Sequence, residues 1–463
     1  LTARGGCPTV GAVSDLLSPL FRAPRATILF GDQARLQGML DFEAALARAE
    51  AQAGMIPAAA AEAIAGHCRA ELLDAGALAE ATGRAGNPVI PLVAALTRSV
   101  AAVDAAAAAH VHRGATSQDA MDTGLVLQLR AFIEVLAADL ERLSAALARL
   151  ANAHRATPIC GRTWLQQAAP TVFGLKAAGF LDALERHLER LRELRPRLLV
   201  LQFGGAVGTL GSLESRGPQV AEALSRELQL GLPEMPWHAH RDRLVELAAW
   251  LGLLVGTLGK MARDLALLAQ GEVAEAFEAG GEGRGGSSAM PQKRNPVSAA
   301  VVLAAAARAP GLVATLLSAM VQEHERGLGG WHAEWETLPE LSLLAAGAAH
   351  QSAAMVETLE VDPARMRENL TNTRGLVFAE AVASRLAPRA GRTEAHELVA
   401  RASRKALAGG RQLRAVLEED PEVARHLSAG DLSAIFDSGD SPGSAGLFID
   451  RVLDRRRRRL GVP

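Results

Sequence analysis

The sequence predicts an all-α protein centred on a bundle of long helices, and three observations predict it. Aromatic residues make up only 3% of the 463-residue chain and tyrosine is absent, so Leu, Ala and Val must fill the core, which suits close helix–helix packing. Five long stretches, at about 123–155, 171–203, 241–278, 296–326 and 335–360, hold little or no internal proline. Many of their positions are apolar outside a single stripe, as in VVLAAAARAPGLVATLLSAMV around Pro310. A helix that is apolar nearly all round is buried on most faces. In a water-soluble chain this predicts helices of several subunits sharing one core, hence an obligate oligomer.

The first ~110 residues are divided by Pro8, Pro19, Pro24, Pro57, Pro88 and Pro91 into short helical stretches. One is ARLQGMLDFEAALARAEAQAG (34–54), with apolar residues at helical spacing and a glycine stop. The five long segments follow, each at least twice the ~11–12 residues of a mean globular helix. At VDPARMRENL (361–370) the helices become short again. These shifts divide the chain into an N-terminal helical domain (1–112), a central five-helix bundle (113–361) and a C-terminal helical domain (362–463).

Composition narrows the function. With 49% apolar residues, 22% charged residues and a net charge of −2, the chain does not resemble a dedicated nucleic-acid binder. The Arg455–Arg459 run could form a nucleic-acid or membrane tail, but it fits a solvated last helical turn whose cations favour the C-terminal end of the helix dipole. The cysteines Cys7, Cys68 and Cys160 are too few and too far apart for a disulfide framework and point to the reducing cytoplasm. No secretory leader is expected. The most apolar run, Leu244–Leu258, is shorter than the ~20 residues a bilayer requires, so no membrane role is expected. His110, His112, His238 and His240 lack a carboxylate or cysteine cluster to complete a metal site, and no metal is expected.

Residues 280–296, GGEGRGGSSAMPQKRNP, link two of the long helical segments. A G-x-G-x-x-G spacing occurs at 281–286, but a helix rather than a strand precedes it, which removes the dinucleotide reading. Five glycines within seven residues favour a lid closing over a substrate. Ser287, Ser288, Lys293 and Asn295 follow together, a set that a bare linker does not need.

GSSAMPQKRNP resembles the signature loop of the fumarase/aspartase superfamily, which includes argininosuccinate and adenylosuccinate lyases. HRGATSQDAMDTGL (112–125) and GRTWLQQAAPTVFG (161–174) are similar to two further conserved regions, and the resemblance extends over essentially the whole chain. It implies a homotetramer with a twenty-helix core and active sites built from three subunits. It also implies removal of a proton α to a carboxylate with loss of a group from the β carbon, through a doubly charged aci-carboxylate, without a cofactor. Preorganised donors in a dry pocket stabilise such charge. Carried over by motif position, Ser287 is the base or its conjugate acid. Lys293 and Asn295, with Thr116 and Ser117 from another subunit, hold substrate carboxylate, and Lys293 is a second candidate for the proton transfer. Ser288, Gln166, His324 and Arg326 are further substrate-binding candidates. Asp119 and Asp122 share a helix face and are read as orienting the helix start.

The chain departs from the superfamily where the third region carries a histidine after its threonine: here that residue is Trp164. Amine and hydroxide leaving groups need a proton, whereas a carboxylate leaves unaided because its conjugate acid has a pKa near ~4. The departure therefore fits opening and closing of a lactone, the chemistry of the superfamily's cycloisomerase branch, which the Trp-rich QEHERGLGGWHAEWETLPEL (322–341) also resembles. The expected partner is a tricarboxylate small molecule. The competing readings are a fumarate-releasing succinyl lyase, a non-catalytic structural homologue and a nucleic-acid binder.

Overall fold

The structure, a computed structural model, describes residues 16–280, 285–286, 290, 293–436 and 443–462. Five long helices dominate it. They are α2 (Ser117–Ala153), α3 (Phe173–Leu198), α4 (Asp242–Leu268), α5 (Val297–Ala319) and α6 (Gly330–Glu357); α1 (Asp32–Gln52) precedes them and α7 (Ala445–Leu460) closes the chain. All five expected long helices are present. Pro196, Pro310 and Pro339 lie inside α3, α5 and α6.

Beta structure is confined, among the described residues, to two small antiparallel pairs. One joins β1 (Pro158–Thr163) to β2 (Gln166–Val172) with a bulge between Cys160 and Arg162; the other joins β3 (Ala276–Phe277) to β4 (Glu360–Val361). Neither pair was expected. Strand β2 is rich in Gln and Ala, poor strand formers, and the first pair is anchored from outside: Arg162 forks onto both oxygens of Glu275 at 2.8 Å, and Asn369 donates to Glu275 at 2.8 Å. Strand β3 also explains why α4 stops at Leu268, about ten residues short of the expected end.

The chain divides into two compact units. The first comprises residues 1–140, 187–258 and 301–350. Here α1 and α2 cross where Gly38 meets Gly124: a Cβ on Gly38 would stand 2.8 Å from the Gly124 carbonyl oxygen, so both positions exclude side chains. Gly252 of α4 likewise admits Val313 of α5. Phe42, Leu92, Leu129, Phe132, Leu254 and Leu341 are fully buried in this unit's apolar core.

The second unit comprises residues 141–186, 259–300 and 351–463. Val382, Leu386, Leu398, Leu413 and Leu417 form one of its cores. The Arg455–Arg459 run is not simply a solvated turn. Arg459 pairs with Glu141 and with the buried Glu185, Arg456 donates to the buried Ser144 at 2.8 Å, and Arg455 donates to Asp182 at 3.2 Å. These cations fasten α7 to α2 and α3.

By length and composition alone, α4 and α5 could cross a membrane, with mean hydropathies of 1.5 and 1.8. They differ in cover: 61% of the apolar window in α4 is buried within the chain, but only 28% of that in α5.

Candidate active site

In the first unit the site begins where HRGATSQD turns into α2. Gly114 takes φ 74°, and a Cβ there would strike Leu213 at 2.4 Å, so glycine is required. Ser117 opens the helix, and Asp119 in its first turn accepts the Thr116 backbone N–H at 3.0 Å. Among the described residues neither the Thr116 nor the Ser117 hydroxyl has a hydrogen-bond partner, and both are half-buried. Two open hydroxyls at the positive end of a 37-residue helix suit a carboxylate.

Asp119 has no solvent exposure and reaches well beyond its own helix. It accepts the backbone N–H groups of Gly204 at 3.0 Å and Gly205 at 2.9 Å, and His238 Nε2 lies 2.7 Å from Oδ1. Arg326 grips the same loop by its carbonyls, donating to Gly205 at 2.8 Å and to Ala206 at 2.8 and 3.2 Å. Thr116 and Arg326 are thus linked through Asp119 and residues 204–206. His324 is exposed, with φ 49°.

One turn into α2, Asp122 faces the fully buried Arg241, which donates to it at 2.7 and 2.9 Å and to Glu334 at 2.6, 3.0 and 3.1 Å. Burial holds the Glu334 carboxyl above its ordinary value, with the Arg241 cation opposing. Asp119 orients the helix start as expected, whereas Asp122 instead ties α2 to Arg241, and His238 is a buried, partnered histidine. His240 is exposed.

In the second unit, Trp164 and Leu165 form the tip of the β1–β2 hairpin. Both have left-handed backbone, φ 52° and 63°, which strains side-chain-bearing residues. They are 98% and 75% exposed, a large apolar tip that the described residues leave largely uncovered. Gln166 is exposed beside them.

The signature loop is closed at its base. Asn295 donates its N–H to the Gly285 carbonyl at 2.9 Å, and Gly285 takes φ 69° with no room for a Cβ against Asn295. Lys293 is exposed, its backbone N–H bonded to Met290. Ser287 and Ser288 lie outside the described residues. Two supports of this loop carried no sequence signal. Glu278 caps α5 by accepting the N–H groups of Ser298 at 3.0 Å and Ala299 at 2.8 Å. Arg294 donates to the Glu278 carbonyl, pairs with Glu360 at 2.8 Å and lies over the Phe277 ring. Among the described residues no cluster of three or more His, Cys, Asp or Glu side chains could hold a metal ion.

The candidates therefore fall into two groups: Thr116, Ser117, His324 and Arg326 in the first unit, Trp164, Gln166, Lys293 and Asn295 in the second.

The lyase family profile matches residues 21–311. The chain belongs to the lyase family. This is the superfamily that the three sequence motifs indicated. The profile of the adenylosuccinate lyase C-terminus matches residues 375–452. Among lyase-family relatives, a 3-carboxy-cis,cis-muconate cycloisomerase from Pseudomonas aeruginosa is 58% identical over 440 residues, covering 95% of this chain and 96% of the relative. A nitrosuccinate lyase from Streptomyces davaonensis is 44% identical, covering 96% of each. The crystal structure of the 3-carboxy-cis,cis-muconate lactonizing enzyme from Pseudomonas putida matches with a TM-score of 0.92 and 53% identity, covering 96% of this chain and 99% of that one.

Proposed function

We propose that this chain is a cycloisomerase that interconverts 3-carboxy-cis,cis-muconate and 4-carboxymuconolactone, a step of protocatechuate breakdown. The observation that carries this reading is Trp164. It stands at the motif position where the resemblance to fumarate-releasing lyases implies a proton-transferring histidine, and an indole neither gives nor takes that proton. Lactone opening expels a carboxylate, which needs none. The identity to named cycloisomerases over nearly the full chain supports the same conclusion.

In the lactonising direction, a substrate carboxylate oxygen bonds to one carbon of a conjugated double bond. Electron density moves to the neighbouring carbon and into its carboxylate, giving an aci-carboxylate. Proton transfer to that carbon, from Ser287 or Lys293, completes the lactone. In reverse, the serine alkoxide removes the proton and the ring oxygen leaves as carboxylate. An alkoxide requires donors and cations around it, and Lys293 supplies one cation. Asn295, Ser288, Thr116 and Ser117, with the α2 N-terminus, hold the substrate carboxylates. Gln166, His324 and the remaining Arg326 donor extend the set, and Trp164 walls the ring and excludes water. No cofactor enters these steps.

The active enzyme is a cytosolic homotetramer with sites assembled from several copies and a 1–112, 113–361, 362–463 domain division. The thinly covered apolar α5 and the bare Trp164–Leu165 tip support the assembly.

The test is a spectrophotometric assay with 3-carboxy-cis,cis-muconate, run beside adenylosuccinate and argininosuccinate. Loss of the diene absorbance with the first substrate alone is expected. Fumarate release from a succinyl substrate would overturn the reading of Trp164; no reaction at all would favour a structural homologue.

A further inference from the structure

We propose that Asp119 is a positioning residue that sets the substrate-binding end of α2 and the Arg326 loop in fixed register. The proposal rests on the cycloisomerase reading for what is bound, but not for the geometry. A carboxylate that merely capped α2 would need only the Thr116 N–H. This one also accepts two N–H groups from residues 85 and 86 positions away and lies against His238, which makes four partners on two oxygens with no exposure to water. Three backbone N–H groups converge on these two oxygens, and two of them come from outside the helix.

The loop it holds is gripped from both sides. Its N–H groups at 204 and 205 point to Asp119, and its carbonyls at 205 and 206 accept from Arg326. Glycine sterics tighten the fit. A Cβ on Gly204 would stand 2.7 Å from Pro236 and 2.8 Å from His238, and one on Gly205 would stand 2.9 Å from the Gly114 carbonyl. Residues 114–119 and 204–206 therefore meet backbone to backbone, with one carboxylate between them. The hydroxyls of Thr116 and Ser117, without hydrogen-bond partners among the described residues, are placed by this junction.

A neighbouring clamp supplies the control. Thr123 donates to the Gln202 carbonyl at 2.8 Å and accepts its N–H at 3.0 Å, tying the same two segments one turn further along α2 without touching Thr116 or residues 204–206. Asp119→Asn and Thr123→Val are compared by kinetics and by amide hydrogen exchange of the assembled protein. In Asp119→Asn, KM for the tricarboxylate rises about 10- to 100-fold, as expected for losing bonds to a charged acceptor. Its kcat changes less, and the amides of Thr116, Gly204 and Gly205 exchange faster. In Thr123→Val the thermal midpoint falls while KM stays within about three-fold. Unchanged KM and exchange in Asp119→Asn, or an equal KM rise in both variants, would overturn the proposal. Should Asp119→Asn not fold, His238→Gln withdraws one partner of the same carboxylate and raises KM to a smaller degree; no rise counts against the proposal. If the wild-type protein ignores the tricarboxylate, the functional reading fails, while amide exchange still decides the role of Asp119.

Discussion

Arg241 holds Glu334 by three donated contacts of 2.6–3.1 Å, and both side chains are at most 2% exposed. The other side of the guanidinium forks onto Asp122, so one cation lies between two buried carboxylates. Further donors are Trp331 at 3.2 Å and Gln118 at 3.1 Å on Asp122, and Gln322 at 3.2 Å on Glu334. Such a cluster adds little net stability when intact, because desolvation offsets attraction, but it is costly to break. Arg241→Met leaves two uncompensated carboxylates and should lower the unfolding free energy by roughly 3–5 kcal/mol. Arg241→Lys should not restore it, because an ammonium cannot fork in two directions. Urea unfolding at pH 7 checks both; a Lys variant matching the wild type would contradict the account.

Glu50 poses the opposite problem, a buried carboxyl with no hydrogen-bond partner on either oxygen among the described residues. Burial, reinforced by the nearby Glu43 and opposed by Arg113 and His112, pushes its pKa from 4.5 up to about 8. The folded protein therefore keeps a proton that the unfolded chain has already released. Between pH about 4.5 and about 8 the native state binds more protons, so stability falls as pH rises through that window. His112, which burial lowers but the contact with Glu43 and the neighbouring carboxylates raise overall, acts in the same direction. Glu50→Gln should flatten the pH dependence and gain on the wild type towards pH 9, on the order of a few kcal/mol at ~1.4 kcal/mol per pKa unit. Thermal melts from pH 5 to 9 read this directly; parallel curves for the two proteins would rule it out.

The sequence made the long helices legible because proline placement and apolar periodicity are local signals. Their ends were less so. Segment 296–326 yields a helix ending at Ala319, and α6 starts at Gly330 rather than near 335, because the QEHERGLGG turn is shaped by contacts such as Arg326 to Gly205. The 158–172 hairpin was missed because its support comes from Glu275 and Asn369, more than a hundred residues distant. The same limit applies to the site. Thr116, Asn295 and Trp164 stand out in motifs, whereas the grip of Asp119 on Gly204 and of Glu278 on the start of α5 exists only after folding. The arginine run illustrates the converse: a conspicuous sequence feature that salt bridges to α2 and α3 absorb.

Assembly can be tested on α5. Leu317 is 51% exposed on a helix that is apolar along its length. Leu317→Glu places a charge in the proposed inter-subunit core and should shift mass photometry from the proposed tetramer towards smaller species, with activity falling in parallel if, as proposed, each site draws on several chains. Leu407, similarly exposed at 58% but on the helix Arg392–Gly409, provides the control. Leu407→Glu should leave the assembly intact. Equal behaviour of the two variants would remove α5 from the interface.

The proton-transfer roles are separable by Ser287→Ala and Trp164→His. Removing Ser287 deletes the group proposed to move the proton and should cost roughly 10²–10⁴-fold in kcat, the usual worth of a positioned acid–base group. The tricarboxylate should still raise the melting temperature, because the groups proposed to bind its carboxylates, Thr116, Ser117, Lys293 and Asn295, remain. Trp164→His returns an ionisable group to the hairpin tip but adds nothing that a carboxylate leaving group needs. Its kcat should stay far above that of Ser287→Ala, with the main loss in KM from removing the proposed ring wall. The pH profile should also keep its wild-type shape: a new limb near the histidine pKa of ~6.5 would mean that leaving-group protonation does limit the reaction.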